Sequence, residues 1–220
     1  MSNPQPPSDL RESVEIAGAP WRESDYYRIA EAFTFVFWDP DSTYPFFRPW
    51  FDRLDLRNVL ELACGHGRHA ERAAPLVQHL TLMDIHEENL QACRQRLGHL
   101  GHVDIVRNNG FDFQPVADAS LSAIFCYDAM VHFGPDLVAS YLRDTARVLE
   151  PGGMALYHHS NHVPADPTQH FGCNPHARNH MSVEWFASLA TQAGLEVVDS
   201  RTFDWGEAVA LDGLTLVRRP

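Results

Sequence analysis

Glu61, Gly65, Gly67 and Asp84 have the types and spacing to hold a small ligand. Residues 58–63 form a short apolar run that reads as a buried strand, and 68–74 read as a helix. The turn between them, Gly65-His66-Gly67, lets a ligand approach the main chain without a Cβ in the way and leaves N–H groups free at the helix start. Asp84 ends a second apolar strand, 79–84, at the distance where an acidic side chain receives a ribose. A dinucleotide or another nucleoside would satisfy that much. Glu61 separates the two, because a carboxylate inside the first strand repels a pyrophosphate and suits a ligand carrying an ammonium and a sulfonium.

The rest of the chain supplies a frame for such a site. A helix over 87–97, a strand over 103–106 and a turn over 108–113 follow Asp84. The next strand, 121–127, leads through Asp128 to a helix capped by Asp136 and running to Leu149. Leu149-Glu150-Pro151-Gly152-Gly153 then turns into a strand over 154–158, and 161–179 is a long loop rich in Pro, Gly and His. Ser182 caps a helix over 183–193, and strands over 195–202 and 208–217 are close enough to pair antiparallel. Alternating strands and helices imply one open sheet with helices on both faces.

Glu61, Ala63, Gly65 and Gly67, with the Leu-Glu-Pro-Gly-Gly turn downstream, resemble the class I S-adenosylmethionine-dependent methyltransferases. Ala63 stands where that family usually has its first glycine, at little cost if only its carbonyl faces the ligand. The resemblance spans roughly 58–218 and implies a Rossmann-like α/β sheet of seven strands, mostly parallel with the last antiparallel. It further implies S-adenosylmethionine as cofactor, S-adenosylhomocysteine as product, and Glu61, Gly65 and Gly67 around the methionine moiety. Asp84 would take the ribose hydroxyls beside Ile85. Gly110 and Phe111 would flank adenine, with Asp112 a displaced acidic candidate and Tyr127 at the end of the fourth strand. An NAD-dependent oxidoreductase is the weaker reading, opposed by Glu61 and the Leu-Glu-Pro-Gly-Gly turn. A non-catalytic cofactor-binding protein is the other rival.

Ligands of such sheets bind at the carboxyl ends of the strands. Asp128, His132, His158, His159 and Asn161 fall there. Methyl transfer is an in-line displacement that needs positioning and removal of the acceptor proton, and imidazole suits the second task near neutral pH. His132 and His159 are therefore the candidate bases, with Asp128 facing the reacting methyl. Asn161, His158 and Arg178 are the candidate acceptor contacts, since a guanidinium fork matches a carboxylate or phosphate; a loop-tethering salt bridge serves Arg178 equally well. A hydroxyl oxygen is slightly favoured as the methyl acceptor, because a base is at hand.

Twelve of the twenty-four aromatic residues crowd into 21–51, which reads as a helix over 27–38 and a lid, some of its rings packing the sheet and one or two facing the pocket. Residues 1–20 read as a loose arm and 21–220 as a single domain. A net charge of −12 with no basic stretch is unfavourable for a phosphate backbone, so a small molecule rather than nucleic acid is expected as acceptor, a modified nucleoside included. The four cysteines form no C-x-x-C pair and the histidine-rich loop has no recognisable ligand spacing, so neither a disulfide framework nor a metal is expected. With no signal peptide and no run of about 18 apolar residues, a cytoplasmic protein without a membrane span is expected.

Overall fold

The computed structural model describes residues 8–22, 24–41, 47–166 and 169–220. Its centre is a seven-stranded sheet: β1 (Asn58–Leu62), β2 (His79–Asp84), β3 (Val103–Arg107), β4 (Leu121–Cys126), β5 (Leu149–Ser160), β6 (Glu196–Trp205) and β7 (Ala208–Arg218). The order across the sheet is β3-β2-β1-β4-β5-β7-β6. The first five strands run parallel, whereas β7 lies antiparallel between β5 and β6. The order reverses between β1 and β4, so the carboxyl ends of these strands open the crevice in which such sheets bind ligands.

Period-two alternation sends the strand side chains into two cores. Val59, Leu80, Leu82, Phe125, Leu156 and Leu216 meet the helices α3 (Thr34–Trp38), α4 (Phe47–Phe51) and α6 (Glu87–Leu97). Leu60, Leu62, Ile124, Cys126 and Tyr157 meet α7 (Pro135–Val148) and α8 (Val183–Gln192) on the other face. The parity of a residue along its strand therefore decides which face it serves.

Several local expectations change. Beyond the undescribed residues 1–7, the expected arm is a helix, α1 (Ser8–Gly18), followed by a 3₁₀ turn at Ala19–Trp21. Its Val14, Ala17 and Gly18 lie against the crevice, and Ser13 donates to Asp136, contacts that a reading of polarity alone does not reveal. The expected helix over 27–38 is broken into α2 (Tyr26–Glu31) and α3. The Ala30 carbonyl there accepts from Phe33 N (3.1 Å), Thr34 Oγ1 (3.3 Å) and Arg68 (3.1 Å). The expected helix over 68–74 shrinks to α5 (Ala70–Ala73) and a 3₁₀ turn at Ala74–Leu76, because Pro75 cannot continue it. Asp136 is not the cap of α7: Gly134 precedes the helix, Pro135 starts it, and Asp136 sits in its first turn. The Pro-Gly-Gly segment lies inside β5, at the end where its register against β4 shifts between Leu121 and Ala123. Ser182 does cap α8, accepting from Trp185 N at 3.1 Å. Tyr44 and Phe46 lie outside the described residues.

Candidate active site

The crevice is an open cleft at the carboxyl ends of β1, β2 and β4, roofed by α1, the 3₁₀ turn and α2. Its floor is the β1–α5 turn. Ala63 (φ 56), Gly65 (φ 53) and Gly67 (φ 78) all take the left-handed conformation, so the turn's shape comes from backbone dihedrals. That explains a preference for glycine at position 63. Alanine there carries a strain of about 1–2 kcal/mol, whatever its carbonyl faces. A Cβ on Gly65 would stand 2.7 Å from the Tyr27 ring, which covers the turn from the roof and stacks on His66 at 4.3 Å.

Asp84 ties the floor together. Its Oδ2 accepts from Gly65 N (3.0 Å), and its Oδ1 accepts from His86 N (2.9 Å) and Asn89 Nδ2 (3.0 Å). Among the described residues these donors occupy three of about four lone-pair sites of a carboxylate, and one on Oδ2 remains for a ligand hydroxyl. Burial, only partly offset by these bonds, holds the Asp84 pKa above the usual carboxylate value. Ile85 stands beside it in the cleft wall. The turn after β3 contributes Asn108 and Gly110. Asn108 Oδ1 accepts from Gly110 N (2.7 Å) and the Tyr141 hydroxyl (2.6 Å), while its Nδ2 donates to Asp112 O (2.6 Å).

Three expected cofactor contacts lie elsewhere. Phe111 and Asp112 are not in the cleft wall; Asp112 Oδ1 accepts from Asn109 Nδ2 (2.6 Å) and Gln114 N (2.8 Å), closing its own turn. Glu61 is buried behind the glycine turn, because its parity in β1 points it into the core shared with Cys93. Burial pushes its carboxyl well above the ordinary pKa, Cys93 adds to the rise, and Oε2 has no hydrogen-bond partner among the described residues. Glu61 is therefore not among the residues that line the cleft.

The far end of the cleft is built around Asp128, whose φ of 56 turns its side chain inward just past β4. Its Oδ2 receives the Tyr26 hydroxyl and Arg68 Nη2 (2.7 Å). Behind it, Asp128 N donates to His158 Nδ1 (3.0 Å), so the His158 proton is on Nε2, which donates to Asp212 Oδ2 (2.9 Å). Arg178 grips Asp212 with Nε (2.8 Å) and Nη2 (2.6 Å), stands 3.9 Å from Asp128, and lies over the Trp205 ring at 4.8 Å. Burial alone would raise the Asp212 pKa, but His158 and Arg178 together bring it far below the carboxylate range. Arg178 and His158 are thus the buried brace of Asp128 rather than open acceptor contacts. The loop-tethering salt bridge is the arrangement found. Asn161 is also a brace, donating to Ala210 O (2.8 Å) and accepting from Val183 N (3.0 Å).

The two candidate bases separate. His132 lines the cleft, with Trp21 packed on its ring at 4.3 Å. Its Nδ1 donates to Ala177 O (2.8 Å), which leaves the Nε2 lone pair without a partner among the described residues. Burial, reinforced by Arg178, lowers its pKa to about 4, so it is neutral at physiological pH. His159 lies on the opposite face of the sheet, stacked on Phe186 at 4.0 Å, with Nδ1 near Ser160 O (2.8 Å) and Nε2 near Thr215 Oγ1 (2.8 Å). It cannot reach the cleft. Tyr127, one parity step from His159's face, does line it.

Of the aromatic stretch, Trp21, Tyr26 and Tyr27 enter the cleft wall, whereas Phe33 and Phe35 are exposed. Sequence reasoning missed Arg68, His69, Asn108, Tyr141 and Asp212. Arg68 and His69 directly follow the glycine turn and could have been suspected; Asp212 had no local signal. Among the described residues no three potential metal ligands converge, and no helix is long and apolar enough to cross a membrane.

Residues 59–153 match the family model described as a methyltransferase domain. A protein of Mycolicibacterium smegmatis named "Probable S-adenosylmethionine-dependent methyltransferase" is 28% identical over 144 residues, covering 66% of this chain and 54% of that protein. A fatty-acid O-methyltransferase of the same organism is 31% identical over 103 residues, 46% of this chain and 36% of that one. The chain thus spans about half or less of the curated relatives it matches. Among solved structures, the PH0226 protein of Pyrococcus horikoshii superposes with a TM-score of 0.65 at 16% identity, over 90% of this chain and 99% of that one.

Proposed function

Because the domain built by this chain belongs to the class I S-adenosylmethionine-dependent methyltransferases, we propose that it methylates a small-molecule acceptor, with a hydroxyl oxygen as the preferred atom. One observation carries the reading: the open lone pair of Asp84, set beside a left-handed glycine turn at the sheet's switch point. That pairing fits a nucleoside whose ribose hydroxyl donates to Oδ2. Gly110 and Asn108 then border its base, and Ala63 to Gly67 its amino-acid end. Bound there, the cofactor supplies an electrophilic methyl carbon; everything else falls to the protein.

His132 holds an Nε2 lone pair without a partner among the described residues, suited to taking a hydroxyl proton as the acceptor oxygen attacks. Its low pKa keeps the lone pair available at neutral pH. Tyr26, Arg68 and Asp128 shape the acceptor end, and the roof residue Trp21 covers it from above His132. The fatty-acid O-methyltransferase among the relatives supports an oxygen acceptor and a small-molecule substrate. Incubation with methyl-labelled S-adenosylmethionine and a metabolite extract tests the reading. Label appearing in a small molecule, lost in His132→Ala, is the expected result. Cofactor binding without any labelled product would favour a non-catalytic binder.

A further inference from the structure

His69 sits one residue after Arg68, in the wall of the cleft and only 3% exposed. Its Nδ1 accepts the indole N–H of Trp38 at 3.0 Å. An imidazole whose Nδ1 accepts must carry its proton on Nε2. That Nε2–H is buried and has no hydrogen-bond partner among the described residues. Buried polar groups are nearly always paired, so an orphaned donor in the wall of a ligand cleft points to a ligand atom that completes it.

The surroundings limit which atom. Phe37, Phe47 and Tyr127 ring the imidazole, with centroids 5.8, 5.9 and 5.3 Å away. The neighbouring cation, Arg68, is already paired with Asp128 at 2.7 Å. A carboxylate placed among these rings would be a buried charge without a free counter-ion, which is costly, whereas a neutral oxygen needs only the donor. Burial and the nearby Arg68 both keep the imidazole itself uncharged.

We propose that His69 is an acceptor-recognition residue, whose Nε2–H donates to a neutral oxygen, a carbonyl in the first instance, on the methyl acceptor. The idea rests on the methyltransferase reading for the word acceptor, but the contact is a binding property that can be measured without turnover. It makes His69 a determinant of which molecules enter, with no part in moving the methyl group. Trp38 becomes the residue that sets the tautomer, and the aromatic rings select a flat or apolar body around the polar atom.

Three matched probes separate the possibilities in the full chain, with and without S-adenosylhomocysteine: acetophenone, benzoate and ethylbenzene. Histidine-selective nitrogen-15 NMR follows the His69 Nε2–H, and titration gives the affinities. The expected result is acetophenone binding about tenfold more tightly than ethylbenzene, an effect of the size one hydrogen bond gives, with a downfield move of that proton. In His69→Phe the preference falls to about one. In Trp38→Phe the ring remains, the tautomer is no longer fixed, and the preference drops part of the way. Should His69→Phe fail to fold, the wild-type NMR titration and Trp38→Phe decide alone. Equal affinities, an unmoved proton at millimolar acetophenone, a preference that survives in His69→Phe, or benzoate binding most tightly would each overturn the proposal. Failure of S-adenosylhomocysteine to bind would instead count against the methyltransferase reading, leaving the probe preference to be judged separately.

Discussion

The two ends of the cleft are built by different means. At the glycine-turn end, backbone dihedrals and one carboxylate do most of the work, and the pieces lie within 63–89 and 108–110. At the Asp128 end, six charged or polar side chains from separate segments converge: Tyr26, Arg68, Asp128, His158, Arg178 and Asp212. The first end is a local structure that many chains can form. The second exists only once β5, β7, the loop and the roof have all packed. In the proposed reading, cofactor binding thus depends on local geometry, and acceptor handling on the whole tertiary fold.

Removing a member of the convergent network should have the largest effect. Arg178→Ala leaves Asp212 and Asp128 without one of their buried cations, and loss of one partner from such a pair costs about 3–5 kcal/mol. Urea unfolding should show a loss of that size; a loss below about 1 kcal/mol would mean the network does not hold this end together.

Next comes the base. His132→Ala should lower kcat by about 10²–10⁴-fold while leaving S-adenosylhomocysteine affinity nearly unchanged. In the proposed role the neutral imidazole is the active form, and with burial lowering its pKa to about 4, wild-type kcat should be flat above pH 5 and fall only as pH drops through 4. A kcat limb near 6.5 would show that another group, or an unburied His132, takes the proton.

The paired histidines of β5 sharpen the contrast most gently. His159 is buried neutral with a pKa of about 4, lowered chiefly by burial. A group whose folded pKa is depressed below an unfolded value of about 6.5 contributes nothing to acid sensitivity above 6.5. Below that pH the unfolded chain binds the extra proton, so stability is lost progressively down to about 4, on the order of 3 kcal/mol for this residue. His159→Gln should therefore flatten the stability profile between these limits and leave turnover within about twofold. A collapse of turnover instead would return His159 to the active site.

The strand and helix alternation was legible because short-range sequence periodicity encodes it, the glycine turn because its residue types and spacing mark it, and the antiparallel end of the sheet because the family resemblance implied it. The parity of β5 was legible too, since Leu156 and His158 share a face and His159 does not; only its position at the carboxyl end of the strand made His159 attractive. Glu61 shows the limit of motif spacing, as its chemistry suits a cation but its parity turns it behind the floor. The helix α1 and the roles of Tyr26 and Asp212 depend on contacts over a hundred residues for Ser13–Asp136 and Tyr26–Asp128, and over fifty for His158–Asp212. No local pattern announces such pairings.

Calorimetric titration of S-adenosylhomocysteine and NADH into the wild-type chain and Asp84→Asn tests the central claim most directly. Loss of one charged hydrogen bond is worth about 1.5–3 kcal/mol, so S-adenosylhomocysteine should bind the wild type and bind Asp84→Asn about 10–100-fold more weakly, with no heat from NADH. Binding of NADH in place of S-adenosylhomocysteine, or an affinity indifferent to Asp84→Asn, would contradict it.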